Sequence, residues 1–311
     1  MADFFQSPTF LLHETGEHPE NSVRLKKIKE RVATEKITNL QSVVQWDTGT
    51  RQQILRVHTA DYLRELKQYC AEGGGRIETD TVVCLESYDV ATYAAGCAVT
   101  AVNEVLGKKT KRAFCAVRPP GHHALPDQAM GFCLLNNVAI AARHAIKQHQ
   151  LNRVLIVDWD VHHGNGTQDI FYKDGQVYFF SAHRFPFYPG TGTAAETGAG
   201  DGLGTIWNLP LAFGISRKDY FAKFERMLLD AARKCRPELI LISAGFDAHK
   251  DDPIGSLGLE TEDFGKLTQL VLNVANEYCD GKVVSLLEGG YNPEKLAESV
   301  VSHLKVLSQN Q

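Results

Sequence analysis

Five short apolar runs, at 113–117, 153–157, 177–180, 239–243 and 283–287, recur along the later two-thirds of the chain. They show little polar alternation, so each reads as a strand covered on both faces, as in a parallel sheet. Between and after them lie segments of helical spacing, at 136–149, 217–234, 262–278 and 293–307. In the first of these, Val138, Ala141, Ala142, Ala145 and Ile146 fall on one face, the pattern of a core-facing helix. Alternating strands and helices predict an α/β fold with right-handed crossovers and an open, doubly wound parallel sheet. The first hundred residues read as mostly helical, with segments at 22–32, 51–70 and 87–106 and a glycine turn at 72–75. No repeat, low-complexity tract or linker divides the 311 residues, so a single domain over 1–311 is expected. The stretch 186–204 carries two prolines and six glycines. It is either a mobile surface loop or the lining of a site, and it follows a strand end, where α/β folds bind ligands.

Composition narrows the class without naming it. The chain is 43% apolar and 23% charged, with a formal net charge of −4. That balance argues against a general nucleic-acid binder. Seven cysteines without CxxC spacing fit reduced thiols better than a disulfide framework or a cysteine zinc site. The start, Met1-Ala2-Asp3-Phe4-Phe5, lacks a basic segment followed by an apolar core, and no run approaches the ~18 apolar residues of a membrane span. A cytoplasmic protein without membrane contact is expected.

The ends of the five runs carry the chemistry. They are Arg118-Pro-Pro-Gly-His122-His123, Asp158-Trp-Asp160-Val-His162-His163-Gly-Asn165, Ser181-Ala-His183-Arg184, Ser243-Ala-Gly-Phe-Asp247 and Glu288-Gly-Gly-Tyr291. In an open parallel sheet these ends face one crevice. Side chains alternate along an extended chain, which places Asp158, Asp160 and His162 on one side. Asp160, His162 and Asp247 then offer three O/N ligands, the set of a catalytic zinc site that keeps a position open. His122 and His123 sit on a stiff turn, and Asp158 and Asn165 are candidate partners for their far nitrogens. A carboxylate partner would hold one imidazole protonated. An amide would leave the other nearer its ordinary pKa, as suits a general base. Tyr291, reached through two glycines, can donate to a developing oxyanion.

These motifs, together with Gly131-Phe132-Cys133, Phe187-Tyr188-Pro189-Gly190-Thr191-Gly192 and His18-Pro19-Glu20, resemble those of the zinc-dependent histone deacetylases. The likeness is closer to the class II and bacterial deacetylase-like amidohydrolase branch than to class I, and it covers most of the chain. It implies an arginase/deacetylase-like fold, Zn(2+) on Asp160, His162 and Asp247, and His123 as general base and then acid. It also implies that His122, paired to Asp158, acts electrostatically and that Tyr291 polarises the acyl carbonyl. Phe132, with Gly131 beside it, and Tyr188 would wall a channel, and Asp80 would hold the substrate backbone. A structural K(+) would use Asp158, Asp160, His162 and Ser181, partly through main-chain oxygens. Asn165 stands where class I enzymes carry aspartate, and Tyr188 where many relatives have phenylalanine. The implied substrate is an acyl-lysine protein or peptide, or alternatively an acetylpolyamine, and an oligomer is possible. An arginase-like binuclear manganese hydrolase, or an acyl-lysine or acyl-polyamine binding protein without turnover, would be the competing readings.

Overall fold

Continuous apolar runs do form the centre of the sheet. The structure, a computed structural model, describes residues 1–309. Its strands are β1 (Ala2–Phe5), β2 (Leu40–Val43), β3 (Gly75–Glu78), β4 (Thr81–Val83), β5 (Arg112–Cys115), β6 (Val154–Asp158), β7 (Val177–Arg184), β8 (Ile206–Leu211), β9 (Leu239–Ala244) and β10 (Val283–Leu287). Eight of them make one sheet in the order β2-β1-β5-β10-β9-β6-β7-β8, with every pairing parallel. All residues of β5, β6, β9 and β10 are buried, as a sheet covered on both faces requires.

The helices are α1 (Val23–Thr34), α2 (Arg51–Ile54), α3 (Ala60–Ala71), α4 (Ser87–Leu106), α5 (Asn137–His149), α6 (Asn165–Phe171), α7 (Arg217–Cys235), α8 (Thr261–Tyr278) and α9 (Pro293–Leu307). Their starts follow local chemistry. Asn136, Ser216 and Asn292 each accept a backbone N–H two or three residues into α5, α7 and α9, which satisfies a donor that a helix start leaves free. Among the described residues, no helix is long and apolar enough to cross a membrane.

The N-terminal region departs from the expected helical character. It supplies β1 and β2 to the sheet and the antiparallel β3–β4 hairpin. The expected helix at 51–70 divides into α2 and α3, because Thr59 caps Tyr62 N–H and starts a new helix. Strand β2, Leu-Gln-Ser-Val, is a half-exposed edge and so lacks an apolar run. Strand β8 was also unforeseen, since it contains Asn208 and Pro210. Proline lacks the N–H a central strand needs, but an edge strand tolerates it, and β8 is the other edge.

The order of strands places the site. From β6 the chain runs outward through β7 and β8, then returns to β9 and β10 on the opposite side of β6. The reversal lies between β6 and β9, and crevices form beyond the carboxyl ends of strands at such points. Asp158, the last residue of β6, is in register with Ser181 of β7 and Ser243 of β9. The polar residues Asp158, Ser181 and Ser243 therefore lie at one level of the sheet.

Candidate active site and metal centre

Strand β6 ends at Asp158, so pleat alternation does not bring Asp160 and His162 together as the sequence suggested. Carboxylates curl the chain instead. Asp158 Oδ1 accepts the N–H of Asp160 at 3.1 Å, and Asp160 Oδ1 accepts the N–H of His162 at 2.9 Å. Such i to i+2 bonds are the turn-forming habit of aspartate. Asp160 Oδ2 also accepts Gly289 N–H at 2.8 Å, and Asp247 Oδ1 accepts Val161 N–H at 2.9 Å.

The result is a tight, buried group. His162 Nδ1 lies 3.0 Å from Asp160 Oδ1 and 3.2 Å from Asp247 Oδ2. Ligand atoms of Asp160, His162 and Asp247 lie within 4.8 Å of one another. Asp247 Oδ2 is buried and accepts no hydrogen bond, a costly arrangement unless something else satisfies it. A Cβ at position 289 would strike the carboxylates of both Asp247 and Asp160, so glycine there leaves them room. Burial alone would drive His162 down, but Asp160 and Asp247 hold its pKa at about 9. Burial and the Asp160 charge push Asp247 up to about 7. The pair demands positive charge at this spot, from a proton or from a metal ion. The donor set and the orphaned oxygen fit a divalent cation.

The two histidines of the stiff turn have different partners. His122 Nδ1–H donates to Asp158 Oδ2 at 2.9 Å. Burial lowers its pKa, yet Asp158, Asp160 and Glu288 raise it to about 10. His123 Nδ1–H donates to Asn165 Oδ1 at 2.7 Å, at the first residue of α6. Burial and the positive charge of His122 and His162 push His123 well below its usual 6.5. One ring is therefore held as a cation and its neighbour, with ring centres 4.0 Å away, as a neutral acceptor at Nε2.

Above them lies a cleft lined by Asp80, His123, Gly131, Phe132, His162, Phe187, Tyr188, Ile254 and Tyr291. Phe132 meets Tyr291 edge-on at 5.6 Å, and Tyr188 meets His123 edge-on at 5.3 Å. Phe187, for which the sequence suggested no separate role, stacks on His162 at 5.2 Å. Gly131 and Phe132 take φ of 56° and 70°, the left-handed region that L side chains seldom adopt. A Cβ at 131 would collide with the His123 ring, so only glycine fits there. Asp80, between β3 and β4, reaches the rim, and its carbonyl accepts from His18 Nε2 at 3.0 Å. His163 points away, to Thr191 and Gln168, and His183 pairs with Ser181.

Several supporting residues were not assigned from sequence. Glu20 is 1% exposed and receives Arg118 on both oxygens, at 2.5 and 2.9 Å, and Arg24 at 3.0 Å. Arg24 donates in turn to the carbonyls of Glu288 and Gly290. Glu288 Oε2 accepts the N–H groups of Gly121 and His122 at 2.6 and 3.1 Å. These contacts tie the N-terminal segment, the histidine turn and the Tyr291 turn together. A charged residue at the end of an apolar run, as Glu288 is, was the available signal. The glycine-rich loop is also pinned. Glu196 accepts from Gly192 N–H, Thr193 N–H and Gln168 Nε2.

Residues 18–307 match the model of the histone deacetylase domain. The chain belongs to the histone deacetylase family. A probable deacetylase of Archaeoglobus fulgidus is 39% identical over 288 residues, covering 92% of this chain and 80% of that protein. A histone deacetylase-like amidohydrolase of Pseudomonas aeruginosa is 38% identical over 280 residues, 89% of this chain and 72% of that protein. The crystal structure of the HDA15 HD domain superposes with a TM-score of 0.92 at 36% identity, covering 99% of this chain and 90% of that one. The resemblance drawn from the motifs and the expected arginase/deacetylase-like architecture are both borne out, and the deacetylase family makes this chain a hydrolase.

The Glu20 cluster gives a stability test. Burial would raise the Glu20 pKa, but Arg118 and Arg24 hold it at about 2, below its ordinary 4.5. A depressed folded-state pKa means stability that is complete above pH 4.5 and is lost as pH falls toward 2. The wild type is expected to lose about 3 kcal/mol across that window that Glu20→Gln does not lose. At neutral pH, Glu20→Gln is expected to cost roughly 3–5 kcal/mol, since it strips two buried guanidinium groups of their counter-charge. Urea unfolding as a function of pH measures both effects.

Proposed function

We propose that this deacetylase hydrolyses acyl amides on lysine side chains, using zinc held by Asp160, His162 and Asp247. The observation that carries the reading is the convergence of that O/N/O group with a neutral, amide-paired His123 and with Tyr291 in the lining of an aromatic cleft. Zinc bound there would supply Lewis acidity toward the acyl oxygen and make water a nucleophile near neutral pH. His123 Nε2 takes the proton from the attacking water and delivers it to the departing amine. His122, paired to Asp158, contributes positive charge beside the developing oxyanion. Burial raises the Tyr291 phenol well above its usual 10, so it stays protonated and donates to that oxygen. Phe132 and Tyr188, joined by Phe187, suit the methylene stem of an acylated lysine. Asp80 at the rim accepts from the substrate backbone.

Asp252 stands outside the converging group of Asp160, His162 and Asp247, its oxygens turned to the backbone N–H groups of Ile254, Gly255 and Tyr291, which weakens the binuclear manganese reading. A potassium ion near Asp158, Asp160, His162 and Ser181 would rest on main-chain oxygens, since Asp158 and Ser181 side chains serve His122 and His183. An acetylpolyamine substrate is supported by one feature. Glu78 Oε2 accepts Asp80 N–H at 3.3 Å, so two carboxylates lie near the rim where a second ammonium would sit.

Tyr291→Phe is expected to lower kcat by roughly 10²–10³ while the protein still binds one zinc per chain by elemental analysis. Full activity in this variant would refute the role given to Tyr291, and two manganese ions per active chain would refute mononuclear zinc. Acetyl- and longer-acyl-lysine peptides, compared with acetylated polyamines by kcat/KM, test the substrate class. Peptides are expected to lead, and an acetylpolyamine ahead of every peptide would overturn that choice.

A further inference from the structure

Tyr291 follows two glycines, and glycines give a turn no stiffness of their own. Its backbone is nevertheless held from outside. The N–H of Tyr291 donates to Asp252 Oδ2 at 2.7 Å. The other oxygen, Asp252 Oδ1, accepts Ile254 N–H and Gly255 N–H, each at 2.9 Å. One half-buried carboxylate therefore takes three backbone donors from two segments distant in sequence. The first segment follows β9, begins with Asp247 and carries Ile254 into the cleft wall. The second carries Tyr291. A parallel tie runs from Asn292 Nδ2 to the carbonyl of Asp251 at 3.0 Å, so the two segments are joined along a seam. Hydrogen bonds to a carboxylate are the stronger kind. The hydrogen bonds of the Asp252 carboxylate go to backbone N–H groups, while its own N–H donates to the His249 carbonyl at 3.0 Å.

We infer that Asp252 is a positioning residue that fixes the Tyr291 backbone, and thereby the phenol, relative to the metal-ligand segment that begins at Asp247. The inference rests on the role proposed above for Tyr291. Aspartate suits the task because both oxygens accept. In Asp252→Asn one oxygen becomes an NH2 group that faces at least one N–H donor, so the seam loses a bond without losing volume.

Asp252→Asn, and Asp252→Ala beside it, are expected to lower kcat on the order of 10²-fold, the scale of a small misplacement of a reacting group. KM and zinc content should change far less than kcat. Hydrogen exchange at the Tyr291 amide should quicken in Asp252→Ala, because its acceptor is gone. Combined with Tyr291→Phe, Asp252→Asn should lower the residual turnover by no more than about threefold, since residues acting through one group are not additive. If Tyr291→Phe is impaired and the two effects multiply, or if the amide exchanges as in the wild type, positioning by Asp252 is wrong while the role of Tyr291 stands. If Tyr291→Phe is fully active, the role of Tyr291 fails first and this inference with it. Thermal unfolding separates these outcomes from loss of folding, and Asp252→Asn carries the test if the alanine variant does not fold.

Discussion

Four carboxylates, Asp158, Asp160, Asp247 and Glu288, are buried at or just beyond the carboxyl ends of β6, β9 and β10. Charge buried without compensation is among the most expensive features a protein can hold. Much of the local backbone is arranged to meet that demand. Segments after the strands curl so that N–H groups of Asp160, His162, Gly289, Val161, Gly121 and His122 point at carboxylate oxygens. His122 supplies one positive charge. Asp247 Oδ2, left without a donor, marks where further positive charge belongs. The loops are thus shaped by electrostatics before any substrate arrives, and the chemistry inherits that preorganisation.

The same demand divides the labour of the histidine pair. A carboxylate behind His122 and an amide behind His123 leave one ring positive and its neighbour neutral, although both are buried to a similar degree. Asn165 adds no further negative charge to a crevice already rich in it. An aspartate there would stabilise protonated His123 and raise its pKa. The asparagine is therefore an electrostatic choice as much as a geometric one.

The central strands, the long helices and the polar strand ends were legible because burial on both faces leaves continuous apolar runs and because chemistry concentrates where such runs stop. Edge strands β2 and β8 were not, since Gln41, Ser42, Asn208 and Pro210 obey rules that differ from those of a sheet interior. That Asp160, His162 and Asp247 come together was readable. How they are brought together was not, because the turns that carry Asp160 and His162 depend on carboxylate-to-backbone bonds rather than on periodicity. The bond between Glu20 and Arg118 spans 98 positions, and no local pattern relates two residues so far apart. Phe187 escaped for another reason, since adjacent aromatic residues do not declare which one faces a site.

The glycine-rich segment has a consequence beyond its place beside the cleft. Gly190, Gly192, Gly198, Gly200 and Gly204 all take positive φ, while Glu196 and Gln168 fasten the segment from within. Its path is carried by residues that have no side chain or that face inward. The side chains it presents to the cleft, Tyr188 among them, can then differ in chemistry while the curve of the wall stays constant. Within such an architecture, selectivity can drift by re-lining a fixed mould.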